Sequence, residues 1–183
     1  NPNGKFSRNT YVGEPGFDRF NQEQWMIGYL LEHRLNDTWT VRQNTRYGYT
    51  SVDYRQIYVR GGFATVNPDN PDDAANFRLL ERYPFGSQEN ARLFTIDNQA
   101  QAKVGLGDWK HTFLFGLDYQ HSRNYQRTYN DGVVDPIDGY SPVYGSRVET
   151  AAPWFDATTR LAQTGLYLQD QIKWGNWVAT LGG

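Results

Sequence analysis

The sequence predicts an all-β fold: about six strands of an antiparallel transmembrane β-barrel that is larger than the chain itself. Three observations lead there. Apolar side chains recur with period two, which puts alternate residues on opposite faces of a sheet. The chain is rich in rings and poor in aliphatics, being 16% aromatic with only five isoleucines in 183 residues, and its mean hydropathy is -0.76. That leaves little material for a closed soluble core and suits a sheet with one wet face. The connections alternate between short turns and long polar loops, the habit of bacterial outer-membrane barrels.

The strands follow in order. Residues 24–33 set Trp25, Ile27, Tyr29 and Leu31 opposite Gln24, Met26, Gly28, Leu30 and Glu32. Residues 39–50 set Trp39, Val41, Gln43, Thr45, Tyr47 and Tyr49 opposite Thr40, Arg42, Asn44, Arg46, Gly48 and Thr50. Residues 93–104 carry Phe94, Ile96, Ala100, Ala102 and Val104 against Thr95, Asp97, Gln99, Gln101 and Lys103. Residues 109–120 alternate most sharply, with Trp109, His111, Phe113, Phe115, Leu117 and Tyr119 on one face. Residues 163–174 show Leu166, Leu168, Ile172 and Trp174, but Asp170 interrupts the apolar face, and a bulge is one way to turn it inward. A sixth strand starts at Trp177. Turns are expected near 34–38, 105–108 and 175–176, and long loops over 60–90 and 123–162.

Trp39, Trp109, Trp174 and Trp177 flank the short turns. Tryptophan favours a membrane interface, where its ring sits in apolar surroundings and its N–H stays hydrogen-bonded, so these four form one girdle. The opposite face is polar (Arg42, Arg46, Gln99, Gln101, Gln169, Gln171) and suits a hydrated lumen.

Other classes fall away. There is no cysteine, hence no disulfide framework or thiolate chemistry. The longest apolar run, 26–31, is far short of the roughly 20 residues of a membrane helix. A net charge of -2 gives no electrostatic case for nucleic acid. The chain opens on Asn1 and closes within a strand, so residues 1–183 are expected to be part of one barrel domain. Six strands are too few to close a membrane barrel, whose minimum is about eight.

The stretch TGLYLQDQIKWGNWVATLGG at 164–183 resembles the barrel of TonB-dependent siderophore receptors of Gram-negative outer membranes. LNDTWTVRQNTRY at 35–47 and HTFLFGLDYQ at 111–120 agree with that family in order and spacing. The nearest branch is the one that takes up ferric hydroxamates. The resemblance implies a 22-strand barrel plugged by a separate domain, which this chain does not include, and energy supplied by the TonB complex through parts of the receptor outside it. It also implies a ferric siderophore as the transported ligand, no covalently bound cofactor, outer-membrane lipid around the barrel, and no enzymatic activity.

The rings of the second long loop are the candidate ligand contacts: Tyr125, Tyr129, Tyr140, Tyr144, Trp154 and Phe155. Aromatic groups lose little side-chain entropy on binding, and tyrosine adds a hydroxyl. In the hydroxamate branch, aromatics just beyond the strand equivalent to 109–122 touch the siderophore, which points to Tyr129 and neighbouring Tyr125. The bland alternative is that these rings pack loop against loop. Arg123, Arg127 and Arg147 suit an anionic chelate or plain solvation. His33, His111 and His121 are too scattered for one metal site, and the iron would arrive already wrapped by its chelator. Asp69, Asp72 and Asp73 lack the spacing of a calcium loop and read as solvated. Asn36-Asp37-Thr38 matches a glycosylation sequon, but its place in a tight turn favours turn chemistry. No catalytic constellation is found. Two readings from other classes stay open: a passive porin, and a soluble carbohydrate-binding module whose rings stack on sugars.

Overall fold

Two-residue turns fix the hairpins. Gly107 (φ 60°) and Gly175 (φ 54°) each hold the first central position, with Asp108 and Asn176 behind them. A positive φ at the first central residue and a negative one at the second is the signature of the II′ turn, which matches strand twist. The longer 35–38 turn is built by Asn36, whose Oδ1 accepts the N–H groups of Thr38 (2.9 Å) and Trp39 (2.8 Å). The Asn36 motif therefore does serve turn chemistry.

The computed structural model describes residues 1–183. Its long strands are β1 (Arg19–Arg34), β2 (Trp39–Phe63), β3 (Leu79–Leu106), β4 (Trp109–Tyr129), β8 (Phe155–Trp174) and β9 (Trp177–Gly182). Three two-residue strands lie in the second long connection: β5 (Gly132–Val133), β6 (Ile137–Asp138) and β7 (Glu149–Thr150). The main sheet runs β1-β2-β3-β4-β8-β9, with β6 pairing β3 and with β5-β7 a separate ribbon. The sheet is open, with β1 and β9 at its ends.

Six long strands and three turns match the expectation, but the strands are longer than the hydrophobic alternation implies. β3 starts at Leu79 rather than near 93, β4 runs on to Tyr129, and β8 starts at Phe155. The long connections shrink to 64–78 and 130–154. The physical reason is that a ladder needs only a neighbouring strand to pair with. Beyond the apolar band both faces meet water or loops, so pairing continues where hydropathy contrast has ended. Asp170 needs no bulge: the β8–β9 register is unbroken from Gln169↔Gly182 to Trp174↔Trp177.

The chain divides into two units. One comprises 24–50, 91–124 and 158–183; the other comprises 1–23, 51–90 and 125–157. The first unit carries the aromatic band. Trp109 stacks on Trp174 (5.4 Å, 12°), Trp39 on Phe115, and Trp25 meets Tyr47 and Tyr49. The tryptophans, Phe115 and their aliphatic neighbours stay exposed, Leu166 at 80% and Ile27 at 68%, while Tyr47 and Tyr49 are half-buried. A continuous exposed apolar band marks a contact surface. Its other face is a polar ladder. Arg42 bridges Glu32 (2.5 Å) and Gln101 (2.7 Å), and Tyr167 donates to Asp97 (2.8 Å) while accepting from Gln99 (3.0 Å).

The second unit holds the loops. Its buried apolar residues are few: Ile57, Pro84, Val134 and Ile137. Buried polar groups take up the rest, each with partners. Asn76 accepts from the N–H groups of Val66 and Asn67 and donates to the carbonyls of Asn67 and Asn70, closing the 64–78 connection on itself. Asp73 caps the 3-10 turn at Ala74–Phe77 by accepting from Ala75. Its carboxyl is held below the usual range by that bond and by the Asn67 amide, the behaviour of a loop-building aspartate.

Candidate functional site

The second unit presents two sheet faces of different chemistry. On one face five rings touch in series. Phe20 of β1 meets Tyr54 of β2 edge-on (5.8 Å), Tyr54 meets Phe85 of β3 (5.7 Å), Phe85 meets Tyr58 (5.9 Å), and Tyr58 stacks on Tyr83 (5.9 Å, 29°). The Arg60 guanidinium lies 5.0 Å from the Tyr83 ring centre. The hydroxyls of Tyr54 and Tyr58 are 2.6 Å apart, and Tyr54 also bonds Gln56. Ser87, Glu89, Gln126 and Thr128 extend this face as a hydrogen-bonded group. The surface is broad, aromatic and hydroxyl-bearing, and Phe20 stays 64% exposed. Such a wall suits a compact neutral ligand held by contact and a few hydrogen bonds.

The other face carries an ion cluster. Asp53 pairs with Arg19 (2.5 Å) and Arg55 (3.1 Å). Tyr129 lies on this side, its ring against the backbone of Gly86, where a Cβ would meet Tyr129 Cζ at 2.2 Å. Alternation puts Gly86 opposite Tyr83 and Phe85, so Tyr129 is not part of the five-ring wall.

The six loop rings do not form one cup. Tyr140 packs on Phe6 (4.6 Å) under the Arg78 guanidinium, and its hydroxyl donates to the Gly4 carbonyl (2.8 Å). Tyr144 meets Tyr11 (5.9 Å) and donates to the Tyr11 carbonyl (3.0 Å). Tyr125 is directed at Asp156, which also faces Arg127 at 3.7 Å. Trp154 and Phe155 meet at 6.2 Å, with Trp154 69% exposed. Arg147 pairs with Glu149 (3.0 Å). No group of three or more His, Asp or Glu is placed to hold a metal ion.

The N-terminal residues, which sequence reasoning left without a role, hold the loops together. Asn1 and Asn3 donate to the carbonyls of Phe77 and Ala74, and Thr10 donates to that of Gly139. Asp18 accepts from the Ile57 N–H (2.9 Å) and the Tyr11 hydroxyl (2.6 Å). Burial and the Asp18 carboxylate push the Tyr11 hydroxyl well above its ordinary range. The ring wall was missed because Phe20, Tyr54 and Tyr58 lie beyond the ends of the strands that hydropathy marks, and 60–90, with Tyr83 and Phe85, reads as loop. The signal that could have found it is the spacing Tyr54, Tyr58 and Tyr83, Phe85, a strand period without hydrophobic contrast.

The family model described as "TonB dependent receptor-like, beta-barrel" matches residues 1–183. The chain belongs to the TonB-dependent receptor β-barrel family. It is 36% identical over 180 residues to the ferrioxamine B receptor of Salmonella typhimurium strain LT2, covering 98% of this chain and 24% of that protein. The ferrioxamine receptor of Yersinia enterocolitica is 30% identical (98% and 25% covered), and the ferrichrome outer membrane transporter/phage receptor of Escherichia coli K12 is 29% identical (100% and 26%). The chain thus spans about a quarter of the length of these relatives. The siderophore receptor PiuA of Acinetobacter baumannii superposes with a TM-score of 0.65 at 23% identity (98% and 27% covered). The closed form of the ferric-catecholate import receptor Fiu of Escherichia coli K12 gives 0.71 at 17% (94% and 24%). Both structures share the fold. The relatives are receptors and transporters rather than enzymes.

Proposed function

We propose that the chain is part of an outer-membrane, TonB-dependent receptor that takes up ferric siderophores of the hydroxamate class. The observation that carries this reading is the wall of Phe20, Tyr54, Tyr58, Tyr83 and Phe85, joined to the likeness to ferrioxamine and ferrichrome receptors. Strand alternation supports an inward-facing wall. Even-numbered residues of β2 and odd-numbered residues of β3 share a face, and that parity holds for Arg42 with Gln101 as for Tyr58 with Tyr83. The opposite parity carries the exposed tryptophans, which suits lipid.

A hydroxamate chelate presents amides and apolar methylenes around an iron already fully coordinated. Rings supply contact area, tyrosine hydroxyls and Arg60 supply hydrogen bonds, and no protein atom need bind the metal. Trp154, Phe155 and Tyr144 form the exposed rim in this reading. Tyr140, Tyr125 and Tyr129 keep the loops and strand ends in place behind it. Capture at this surface precedes an energised step in which TonB, acting through parts of the receptor outside this chain, opens the path.

Uptake by cells that make the full-length receptor tests the reading. Ferric hydroxamates should enter, and Tyr58→Ala with Tyr83→Ala should raise the concentration for half-maximal uptake more than tenfold. Uptake that is indifferent to both substitutions would move the site elsewhere.

A further inference from the structure

We propose that Glu89 is a charge-selecting residue of the ring wall: it takes a positively charged arm, a primary ammonium, of the ferric hydroxamate that the rings hold. The proposal rests on the uptake reading above and narrows it to chelates that carry such an arm. Glu89 lies on the same face as the rings. Tyr83, Phe85, Ser87 and Glu89 are alternate residues of β3, and alternate residues share a face. Ser87 reaches Thr128 of β4 (3.2 Å) on that face, whereas Tyr129 lies against Gly86 on the other. Four residues of strand separate Glu89 from Phe85, about 13 Å, so one ligand can touch rings and carboxylate together.

The hydrogen bonds around Glu89 fix its position without neutralising it. Ser87 Oγ donates to Glu89 Oε1 (2.5 Å), and Gln126 Nε2 donates to the same oxygen (3.3 Å) and to Thr128 Oγ1 (3.2 Å). A hydroxyl has one proton to give, so Ser87 accepts from Thr128 in the bond between them. Ser87 and Thr128 are buried, and the protons of the group run toward the carboxylate. Both of its donors are neutral. Glu89 itself is half-buried, and Oε2 is taken by neither donor. The guanidinium on this face, Arg60, is already paired with Asp131. The wall thus ends in a carboxylate with no cation beside it, next to ring faces that are themselves electronegative. Rings and a carboxylate together attract an ammonium group, and the same carboxylate repels an anionic chelate. The neutral iron-bearing body of the ligand stays on the rings.

The test titrates the purified full-length receptor in detergent with two probes: the ferric complex of a linear trihydroxamate bearing a free terminal amine, and that of its N-acetylated form. The two share their iron-binding groups and differ by one positive charge. At low salt the wild type should bind the amine form about tenfold more tightly. Glu89→Gln keeps the shape and an acceptor for Ser87, and should bring the two probes within about twofold by weakening the amine form alone. Should Glu89→Gln fail to insert, the wild type still decides, because about 0.5 M salt should erase most of the preference. A preference that survives Glu89→Gln or salt would overturn the proposal. So would equal weakening of both probes by Glu89→Gln, the mark of a merely structural role. A wild-type receptor that binds neither probe would overturn the uptake reading and the proposal with it, whereas equal binding of both would overturn the proposal alone.

Discussion

Asp170 Oδ2 lies 2.8 Å from His111 Nδ1, on the sheet face that carries Trp109 and Trp174. The carboxylate that interrupts an apolar stripe is thus matched by the one histidine on the neighbouring strand's apolar stripe. Asp170 Oδ1 is buried without a partner, so the pair stands on a single contact. Removing one member strands the other in apolar surroundings, at about 1–3 kcal/mol. His111→Ala or Asp170→Ala should each lower the barrel's unfolding temperature in detergent, and the double variant should lose less than the two together. Additive losses would show that the two side chains do not depend on each other.

Tyr167 closes over Gly116, where an added Cβ would meet the ring at 1.9 Å. The same ring is held by Asp97 and Gln99. Gly116→Ala should push the ring off those partners and destabilise by about 1–3 kcal/mol. Tyr167→Ser in the same chain should recover part of the loss. Thermal unfolding by gel mobility reads both, and a wild-type midpoint for Gly116→Ala would contradict the contact.

Acid should loosen the second long connection. Asp131 is held below its ordinary range by the Gly132 N–H and by Arg60. At Asp138, burial would raise the carboxyl, but the N–H groups of Tyr140 and Ser141 and the Arg78 guanidinium outweigh it and lower it. A depressed carboxyl contributes stability that is present above its unfolded value, about 3.9, and lost as pH falls through the folded one. Hydrogen exchange of residues 130–150 should therefore stay flat from pH 7 to about 4 once corrected for intrinsic rate, then accelerate. Asp138→Asn should blunt the step. A step centred near pH 6 would point to histidine instead.

Ligand contact should track the wall rather than the packed loop rings. Tyr58→Ala should weaken chelate binding about tenfold, or ~1.4 kcal/mol. Tyr140→Phe should change it less than twofold, since it removes only a bond to the Gly4 carbonyl. The reverse order, read by calorimetric titration, would return the site to the loop tip.

Legibility in the sequence followed hydrophobic contrast. Where β4 alternates Trp109, His111, Phe113 and Phe115 against polar neighbours, strand and facing were plain, and so were the glycine turns at 107 and 175. Where β2 and β3 extend as Tyr54-Arg55-Gln56 and Tyr83-Pro84-Phe85, both faces carry polar or aromatic groups and the period leaves no trace in hydropathy. Tyr140 and Tyr144 were identifiable as loop rings, but not their partners Phe6 and Tyr11, which lie more than 130 residues away in sequence. The buried Arg82–Glu14 pair was invisible for the same reason, because nothing local marks an arginine as buried.

The most direct measurement is titration of the purified full-length receptor in detergent, followed by tryptophan fluorescence, with ferric hydroxamates, ferric catecholates and cobalamin. Saturable quenching at submicromolar ferric hydroxamate, and none with the other two, is the predicted result. A folded receptor that shows no saturable response to ferric hydroxamates would contradict the account.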